Sequence, residues 1–123
     1  MTEALRCEVF PADLDSSIAF YVGVLCFRLV RDERSAPDPY AALQRGSVHL
    51  GLAARPPVAN AGPRRPPTGV ELVLEVDDLT AEYDRVRTGG WPVDEEPADR
   101  PWGLRDFRLL DPDGYYWRIT SRA

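Results

Sequence analysis

The segment from Asp13 to Phe27, DLDSSIAFYVGVLCF, carries a helical pattern that the segment from Asp77 to Thr88, DDLTAEYDRVRT, repeats. When the Asp-Leu steps of the two segments are aligned, apolar or aromatic residues follow about four and seven positions later in both, the spacing of one helix face. The aspartates before the leucines are natural N-caps, because a carboxylate there accepts hydrogen bonds from free amides of the first turn. The repeat predicts two equivalent helices, from Leu14 to about Leu25 and from Leu79 to about Thr88.

Each predicted helix follows one strand-like run and precedes three more. Alternation of apolar and polar residues is typical of strands with one buried face. The sequence DPDG, residues 111–114, predicts a hairpin turn, because proline presets its own φ and glycine tolerates a positive one. The polar stretch EEPADRPWG, residues 95–103, is interpreted as a loop that leads into a strand. The order is βαβββ twice, an α+β fold class, with predicted strands at Leu5–Phe10, Phe27–Glu33, Tyr40–Arg45, Val48–Ala53, Val70–Val76, Trp91–Asp94, Gly103–Leu110 and Tyr115–Ser121.

A segment rich in proline, glycine and arginine, ARPPVANAGPRRPPTG, separates the two halves. Proline lacks a backbone donor and interrupts regular structure, so this segment is interpreted as a linker. We expect one domain over residues 1–123, with module 1 at about 1–54, the linker at 55–68 and module 2 at about 69–123.

Composition narrows the classes of partner. The chain has 15 basic and 20 acidic residues, a net charge of −5, whereas nucleic-acid binding normally needs a basic face. No apolar run approaches the roughly 18 residues of a membrane span, and no secretory signal pattern is visible. We therefore expect a cytoplasmic protein with neither nucleic acid nor membrane as a partner. Cys7 and Cys26 lack metal-site spacing and are expected to be buried thiols rather than a disulfide.

Strand alternation assigns side chains to two faces. The apolar set can pack under the helices, with Trp91 and Trp117 in the core. The second face is polar and partly aromatic, and Gly51 and Ala53 would leave room on it. This face is either solvated, as in many α+β domains, or it curls into a cup around a ligand, and alternation alone leaves both interpretations open.

Three segments together resemble the vicinal-oxygen-chelate superfamily, which includes glyoxalase I, extradiol dioxygenases, fosfomycin-resistance transferases and bleomycin-resistance proteins. DLDSSIAFYVGVLCF is similar to the first-module signature, VELVLEVDDLTAEYDRVRTGG to the second-module opening, and RPWGLRDFRLLDPDGYYWRIT to the closing hairpin. The resemblance implies that the modules form curved mixed sheets and that two chains pair as a homodimer with exchanged elements. Cys26 stands where the signature usually has glycine. A positive φ there would strain a cysteine, but we expect the local turn to tolerate this residue.

The resemblance also locates the family's metal positions. Its enzymes take mostly His and Glu ligands from the first and fourth strands of each module, which here correspond to Arg6, His49, Glu71 and Arg118. Arginine is a permanent cation and not a ligand. A histidine and a glutamate alone fall short of a usual catalytic site, so we expect no metal, no cofactor and no catalytic residue.

Without a metal site, the chain is similar to the bleomycin-resistance branch of the superfamily, whose members capture a bulky antibiotic in a cleft between subunits. The resemblance implies aromatic residues that sandwich flat parts of the drug, and polar residues that fix its pose. For Phe107, ordinary core packing is the favoured alternative; for Trp102 the two roles are balanced. The candidate ligand-binding residues are Trp102, Tyr40, Tyr116, Phe107, Arg6, His49, Glu71 and Arg118, with Glu8 as a further polar contact.

The leading hypothesis is a metal-independent protein that sequesters a bleomycin-, enediyne- or mitomycin-like natural product and so gives drug resistance. The alternative is a metal-dependent lyase, dioxygenase or thiol transferase of the same superfamily. A metal-free domain with a regulatory or partner-binding role is a third hypothesis.

Overall fold

The computed structural model describes residues 3–54 and 69–121, and the chain divides into two compact units, Met1–Arg64 and Arg65–Ala123. Each unit has the order βαβββ, so the α+β fold class and the internal repeat are confirmed. The predicted linker, residues 55–68, lies outside the described residues.

The first unit is a four-stranded mixed sheet with one helix. Its sheet has the order β1-β4-β3-β2, in which β1 is parallel to β4 and the other neighbours are antiparallel. The helix packs on β4 and β2. The elements are β1 (Arg6–Val9), α1 (Leu14–Gly23), β2 (Arg28–Glu33), β3 (Tyr40–Arg45) and β4 (Val48–Ala53).

The second unit repeats this arrangement. Its sheet has the order β5-β8-β7-β6, with β5 parallel to β8, and its helix packs on β7 and β8. The elements are β5 (Leu72–Val76), α2 (Leu79–Thr88), β6 (Glu95–Asp99), β7 (Arg105–Leu110) and β8 (Tyr116–Ser121). Among the residues described, neither helix is long and apolar enough to cross a bilayer.

The two helix starts are built as predicted. The carboxylate of Asp13 accepts a hydrogen bond from the Ser16 amide at 3.3 Å, and that of Asp78 accepts one from the Ala81 amide at 3.0 Å. Each bond satisfies an amide that the first helical turn leaves without a partner. The helix α2 ends at Thr88 as predicted, whereas α1 ends two residues before the predicted Leu25.

Each unit has an apolar core between its helix and one face of its sheet. In the first unit Tyr21 is fully buried and meets Phe20 and Phe27 edge-on. In the second unit Trp117 is buried, as predicted, whereas Trp91 is only half-buried, and its indole N–H donates to the Leu110 carbonyl at 2.8 Å. The other buried apolar residues are Val9, Ile18, Leu25, Ala41, Leu43, Leu50 and Leu52 in the first unit, and Leu74, Val76, Leu79, Val86, Phe107, Leu109 and Ile119 in the second.

The main error of the sequence interpretation concerns β6. We expected a strand at Trp91–Asp94 and a loop over 95–103, but the strand is Glu95–Asp99. Its backbone pairs with β7, and its acidic side chains lie against arginines of β7 and of the following turn, so the strand forms despite their low strand propensity. Pro97 is tolerated because β6 is an edge strand whose register shifts between Glu95 and Ala98.

Smaller corrections concern strand starts and the cysteines. Leu5 is 91% exposed and Val70 is 59% exposed, so β1 and β5 begin one and two residues later than predicted. The two thiols are free, but neither is buried as expected: Cys7 is half-buried and Cys26 is exposed. Its φ of +56° lies in the left-handed region, which explains why glycine suits this position better.

Candidate functional site

The polar face of the first sheet centres on Glu8. Its carboxylate accepts a hydrogen bond from the Tyr40 hydroxyl at 3.1 Å and lies 3.3 Å from the Arg6 guanidinium. Gly51 lies beneath this pair, and a Cβ there would come within 1.7 Å of the Glu8 Oε2 and 2.3 Å of the Tyr40 hydroxyl. A glycine at this point of β4 is therefore what allows the Glu8–Tyr40 pair to lie flat on the sheet.

Burial of Tyr40, followed by its bond to Glu8, raises the pKa of its phenol above the ordinary value. The hydroxyl therefore stays protonated and donates at neutral pH. His49 is exposed, and its Cα is paired with that of Arg6 in the β1–β4 ladder. The structure thus brings three predicted residues, Arg6, His49 and Tyr40, to one sheet face together with Glu8.

Burial, followed by the charge of Glu8, raises the pKa of the half-buried Cys7 thiol. A raised pKa disfavours the thiolate, which is the nucleophilic form.

The second sheet carries what we call the ion-paired face, whose charged residues are Glu71, Glu95, Arg100, Asp106, Arg108 and Arg118. Arg108 and Arg118 are direct cross-strand neighbours, an arrangement that repels unless anions intervene. Glu71 intervenes, because its Oε2 lies 2.8 Å from the Arg108 Nε and its Oε1 lies 3.1 Å from the Arg118 Nε. Both carboxylate oxygens of Glu71 are thus occupied by guanidinium groups.

Asp106 is the second anion of the ion-paired face and is completely buried. Its Oδ1 accepts a hydrogen bond from the Arg100 Nε at 2.8 Å and lies 3.8 Å from the Arg108 Nη1. Its Oδ2 lies 3.9 Å from the Arg118 Nη1. Asp106 therefore faces three guanidinium groups, which offset the cost of burying its charge.

Tyr116 lies at the border of the ion-paired face. Its hydroxyl is 2.9 Å from an Asp94 carboxylate oxygen and 3.1 Å from one of Glu95. Burial of the phenol, followed by these bonds, raises the pKa of Tyr116 well above its usual range. In return, the bonds from Tyr116 and Arg100 lower the pKa of Glu95, so Tyr116 acts as a donor to an ionised carboxylate.

Trp102 projects from the turn between β6 and β7. The Gly103 amide donates to the Arg100 carbonyl at 3.0 Å, Pro101 follows Arg100, and Gly103 has a φ of +88°. Proline early in a turn and glycine at its left-handed position are the residues that such a turn favours. Trp102 is 56% exposed, and the Arg118 guanidinium carbon lies 5.9 Å from its ring centroid, within the range of a cation–π contact.

Phe107 takes no part in this face. It is completely buried and meets Tyr83 of α2 edge-on, with ring centroids 5.4 Å apart. The structure therefore places Phe107 in the core rather than among the ligand-binding side chains, because it alternates with Asp106 and Arg108 along β7.

The sequence analysis missed four charged residues of the ion-paired face: Glu95, Arg100, Asp106 and Arg108. A signal for two of them was available, since Asp106 and Arg108 alternate with buried Phe107 and Leu109 in the same way as Tyr116 and Arg118 alternate with Trp117 and Ile119. The other two were hidden by the interpretation of 95–103 as a loop.

Described residues of the second unit form two surface depressions. One of about 320 Å³ is lined by Trp91, Pro92, Val93, Asp94, Leu110, Asp111 and Pro112. Another of about 240 Å³ lies between α2 and β6 and includes Tyr83, Pro97 and Arg105. Neither depression is lined by a guanidinium group of the ion-paired face.

The residues at the family's metal positions do not fit a divalent cation. Arg6 and Arg118 offer no lone pair for coordination, and the oxygens of Glu71 face two guanidinium groups. Within residues 3–54 and 69–121, no three His, Cys, Asp or Glu side chains are grouped as a metal site requires.

The model of the Glyoxalase/Bleomycin resistance protein/Dioxygenase superfamily matches residues 4–119. The chain belongs to this superfamily. A further match is CFP32 of Mycobacterium bovis and Mycobacterium tuberculosis, described as a candidate glyoxylase, with 28% identity over 116 residues, or 94% of this chain. The chain spans only 42% of the length of these relatives.

Several solved structures share the fold over nearly the whole chain. TioX from Micromonospora sp. ML1 has a TM-score of 0.80 and 22% identity, over 99% of this chain and 100% of that one. TnmS3, an antibiotic binding protein from Streptomyces sp. CB03234, has a TM-score of 0.75 and 23% identity, over 100% and 98%. Lactoylglutathione lyase from Agrobacterium tumefaciens has a TM-score of 0.73 and 21% identity, over 98% and 94%. The likeness establishes the vicinal-oxygen-chelate fold.

Proposed function

We propose that this superfamily member is a cytoplasmic, metal-independent binding protein that captures an aromatic natural product such as a bleomycin-, enediyne- or mitomycin-like antibiotic, and so protects the cell. The observation that carries the proposal is the position of Glu71 between Arg108 and Arg118. At two positions where superfamily enzymes have metal ligands, this chain has Glu71, whose carboxylate is neutralised by arginines, and the cation Arg118.

The exposed ring of Trp102 supports a binding role. It is held by a tight turn beside Arg118 and offers a flat apolar surface next to polar groups. Burial of a ligand against such a ring contributes roughly 25 cal/mol per Å² of apolar area, and polar contacts fix the pose. TnmS3 provides a precedent for an antibiotic binding protein with this fold. We place the ligand cleft of this protein at the boundary of a homodimer.

The proposal is tested by titrating the purified protein with bleomycin, an enediyne and a mitomycin while following tryptophan fluorescence. We expect saturable quenching by at least one compound, unchanged by a chelator. The alternative, a metal-dependent lyase, is favoured by the likeness to lactoylglutathione lyase. A lyase activity that appears on addition of Zn, Ni, Fe or Mn, with no binding of these antibiotics, would replace our proposal by that alternative.

A further inference from the structure

Arg118 differs from the other arginines of the ion-paired face in how its donors are used. Arg100 and Arg108 form hydrogen bonds with Asp106 and Glu71, each at 2.8 Å. The Arg118 Nε is buried 3.1 Å from the Glu71 Oε1, without the alignment of a hydrogen bond, and is closed to a ligand. The outer edge of the guanidinium is less engaged, because its Nη1 has only a 3.9 Å approach to Asp106. Arginine offers five N–H donors in a planar fork that matches a carboxylate.

The acceptors on this face are, by contrast, committed or inaccessible. Both oxygens of Glu71 lie against guanidinium groups, and those of Glu95 accept from Arg100 and Tyr116. The Asp106 Oδ2 has no hydrogen-bond partner in the part of the chain described, but it is buried beneath the arginines. A ligand that reaches this face therefore meets spare donors rather than spare acceptors.

Trp102 adds a second requirement. Its exposed ring lies beside the Arg118 guanidinium, so a group held by Arg118 lies within reach of a flat aromatic surface. A planar ring on the ligand can stack there, while an acidic oxygen on the edge of that ring meets the guanidinium. The two side chains select for a ring and an anion in the same molecule.

We infer that Trp102 and Arg118 form a subsite for a planar aromatic acid, with the ring on Trp102 and the carboxylate at the outer edge of Arg118. This inference rests on the proposed function and adds the charge of the ligand to it. The sign is opposite to the one that the net charge of −5 would favour by long-range steering.

Three naphthalene probes of nearly equal size test the inference: 2-naphthoate, 2-naphthamide and 2-naphthylmethylammonium. Binding is measured by tryptophan fluorescence at low salt. A charge-assisted pair predicts that the naphthoate binds at least about tenfold more tightly than the amide, and that the ammonium binds weakest. The preference for the acid should shrink as NaCl is added. Equal or tighter binding of the amide or the ammonium would overturn the inference.

Two variants locate the preference. Arg118→Gln should abolish the difference between naphthoate and naphthamide, and Arg118→Lys should keep part of it because the charge remains. The control is Arg105→Gln, which removes an exposed arginine of the same sheet. Arg105 is paired with Asp99, so this variant should keep the full preference for naphthoate over naphthamide. Persistence of the preference in a folded Arg118→Gln protein contradicts the assignment. If Arg118→Gln does not fold, two other results test the inference: the order of affinities of the three probes for the wild type, and the partial preference expected of Arg118→Lys.

The probe and antibiotic experiments fail separately. If an antibiotic binds but the probes show no preference for the acid, the proposed function stands and the subsite is wrong. If naphthoate is preferred through Arg118 but none of the antibiotics binds, the subsite stands and the proposed ligand class is wrong. If nothing binds, both are wrong.

Discussion

Trp102 follows Pro101 in the turn between β6 and β7, and 56% of its surface is exposed. Cutting it to alanine should weaken ligand binding more than folding. Stacking on an aromatic side chain contributes about 1–3 kcal/mol per ring, or roughly 5- to 150-fold in the dissociation constant. The buried Trp117 is the matched control, because its truncation should instead cost about 3–5 kcal/mol of folding free energy. A Trp102→Ala protein that unfolds early but binds normally would show that this ring belongs to the core.

Gly51 is a site where one methyl group should have a specific effect. In Gly51→Ala the new Cβ displaces the Glu8 carboxylate and the Tyr40 hydroxyl, both of which are mobile ends of side chains. The fold should therefore survive, with a loss of about 0.5–1.5 kcal/mol for the broken hydrogen bond. Gly23→Ala, where a Cβ meets nothing within 4 Å, should be neutral or stabilising.

A double-variant cycle in urea checks this explanation of Gly51. Tyr40→Phe removes the same bond, so Gly51→Ala should cost much less in the Tyr40→Phe background than in the wild type. Strictly additive losses would mean that the glycine serves some other contact.

Cys26 stores a small amount of backbone strain. Its φ of +56° costs a residue with a Cβ about 1–2 kcal/mol, and a glycine regains part of this at the expense of a more flexible unfolded chain. Cys26→Gly should thus raise the free energy of unfolding by roughly 0.5–1 kcal/mol. Cys26→Ala, which keeps the Cβ, should give no such gain; equal stability of the two variants in thermal unfolding would argue against the strain.

At the scale of elements, strand alternation predicted β3 and β4 correctly, and the helical repeat predicted α2 and both N-caps, because the local signals and the packing of these elements agree. Alternation failed at β6, where the reason for the strand is not local: Glu95 and Asp99 are stabilised by arginines that lie five or more residues away. Only part of the ion-paired face was predicted, because its other contacts are likewise not local in sequence. Arg118 and Glu71 follow from alternation and resemblance, whereas the second guanidinium on Glu71, that of Arg108, depends on the register of β7 against β8.

The buried carboxylate of β7 should matter more than any surface pair of the same sheet. Asp106→Asn leaves Arg100, Arg108 and Arg118 around a neutral amide. We expect a loss of about 2–4 kcal/mol in urea unfolding, less than for a fully buried pair because the arginines remain partly solvated. Asp99→Asn, which breaks only the exposed 3.7 Å pair with Arg105, should change stability by less than about 0.5 kcal/mol. Similar losses in the two variants would mean that the buried cluster is not what stabilises β7.

At the scale of the whole molecule, the prediction is a homodimer. The resemblance implies that two chains pair to complete the clefts, so sedimentation at tens of micromolar, on the order of ordinary working concentrations, should give twice the chain mass of 13.8 kDa. Antibiotic saturation should then occur at one ligand per chain. A monomer that binds the ligand with the same affinity would move the cleft into a single chain.

The unequal edges of the two sheets bear on how copies of this chain can aggregate. In the second sheet, β6 carries Pro97, a register shift and several carboxylates, and in the first sheet β2 carries a register shift and charged side chains. Such edges resist the addition of another strand, whereas β1 and β5 at the opposite edges lack a proline and a register shift. A sheet with one resistant edge can be extended once but cannot grow from both sides. We therefore expect the growth of either sheet by strand addition to stop after one pairing, at β1 in the first sheet or at β5 in the second.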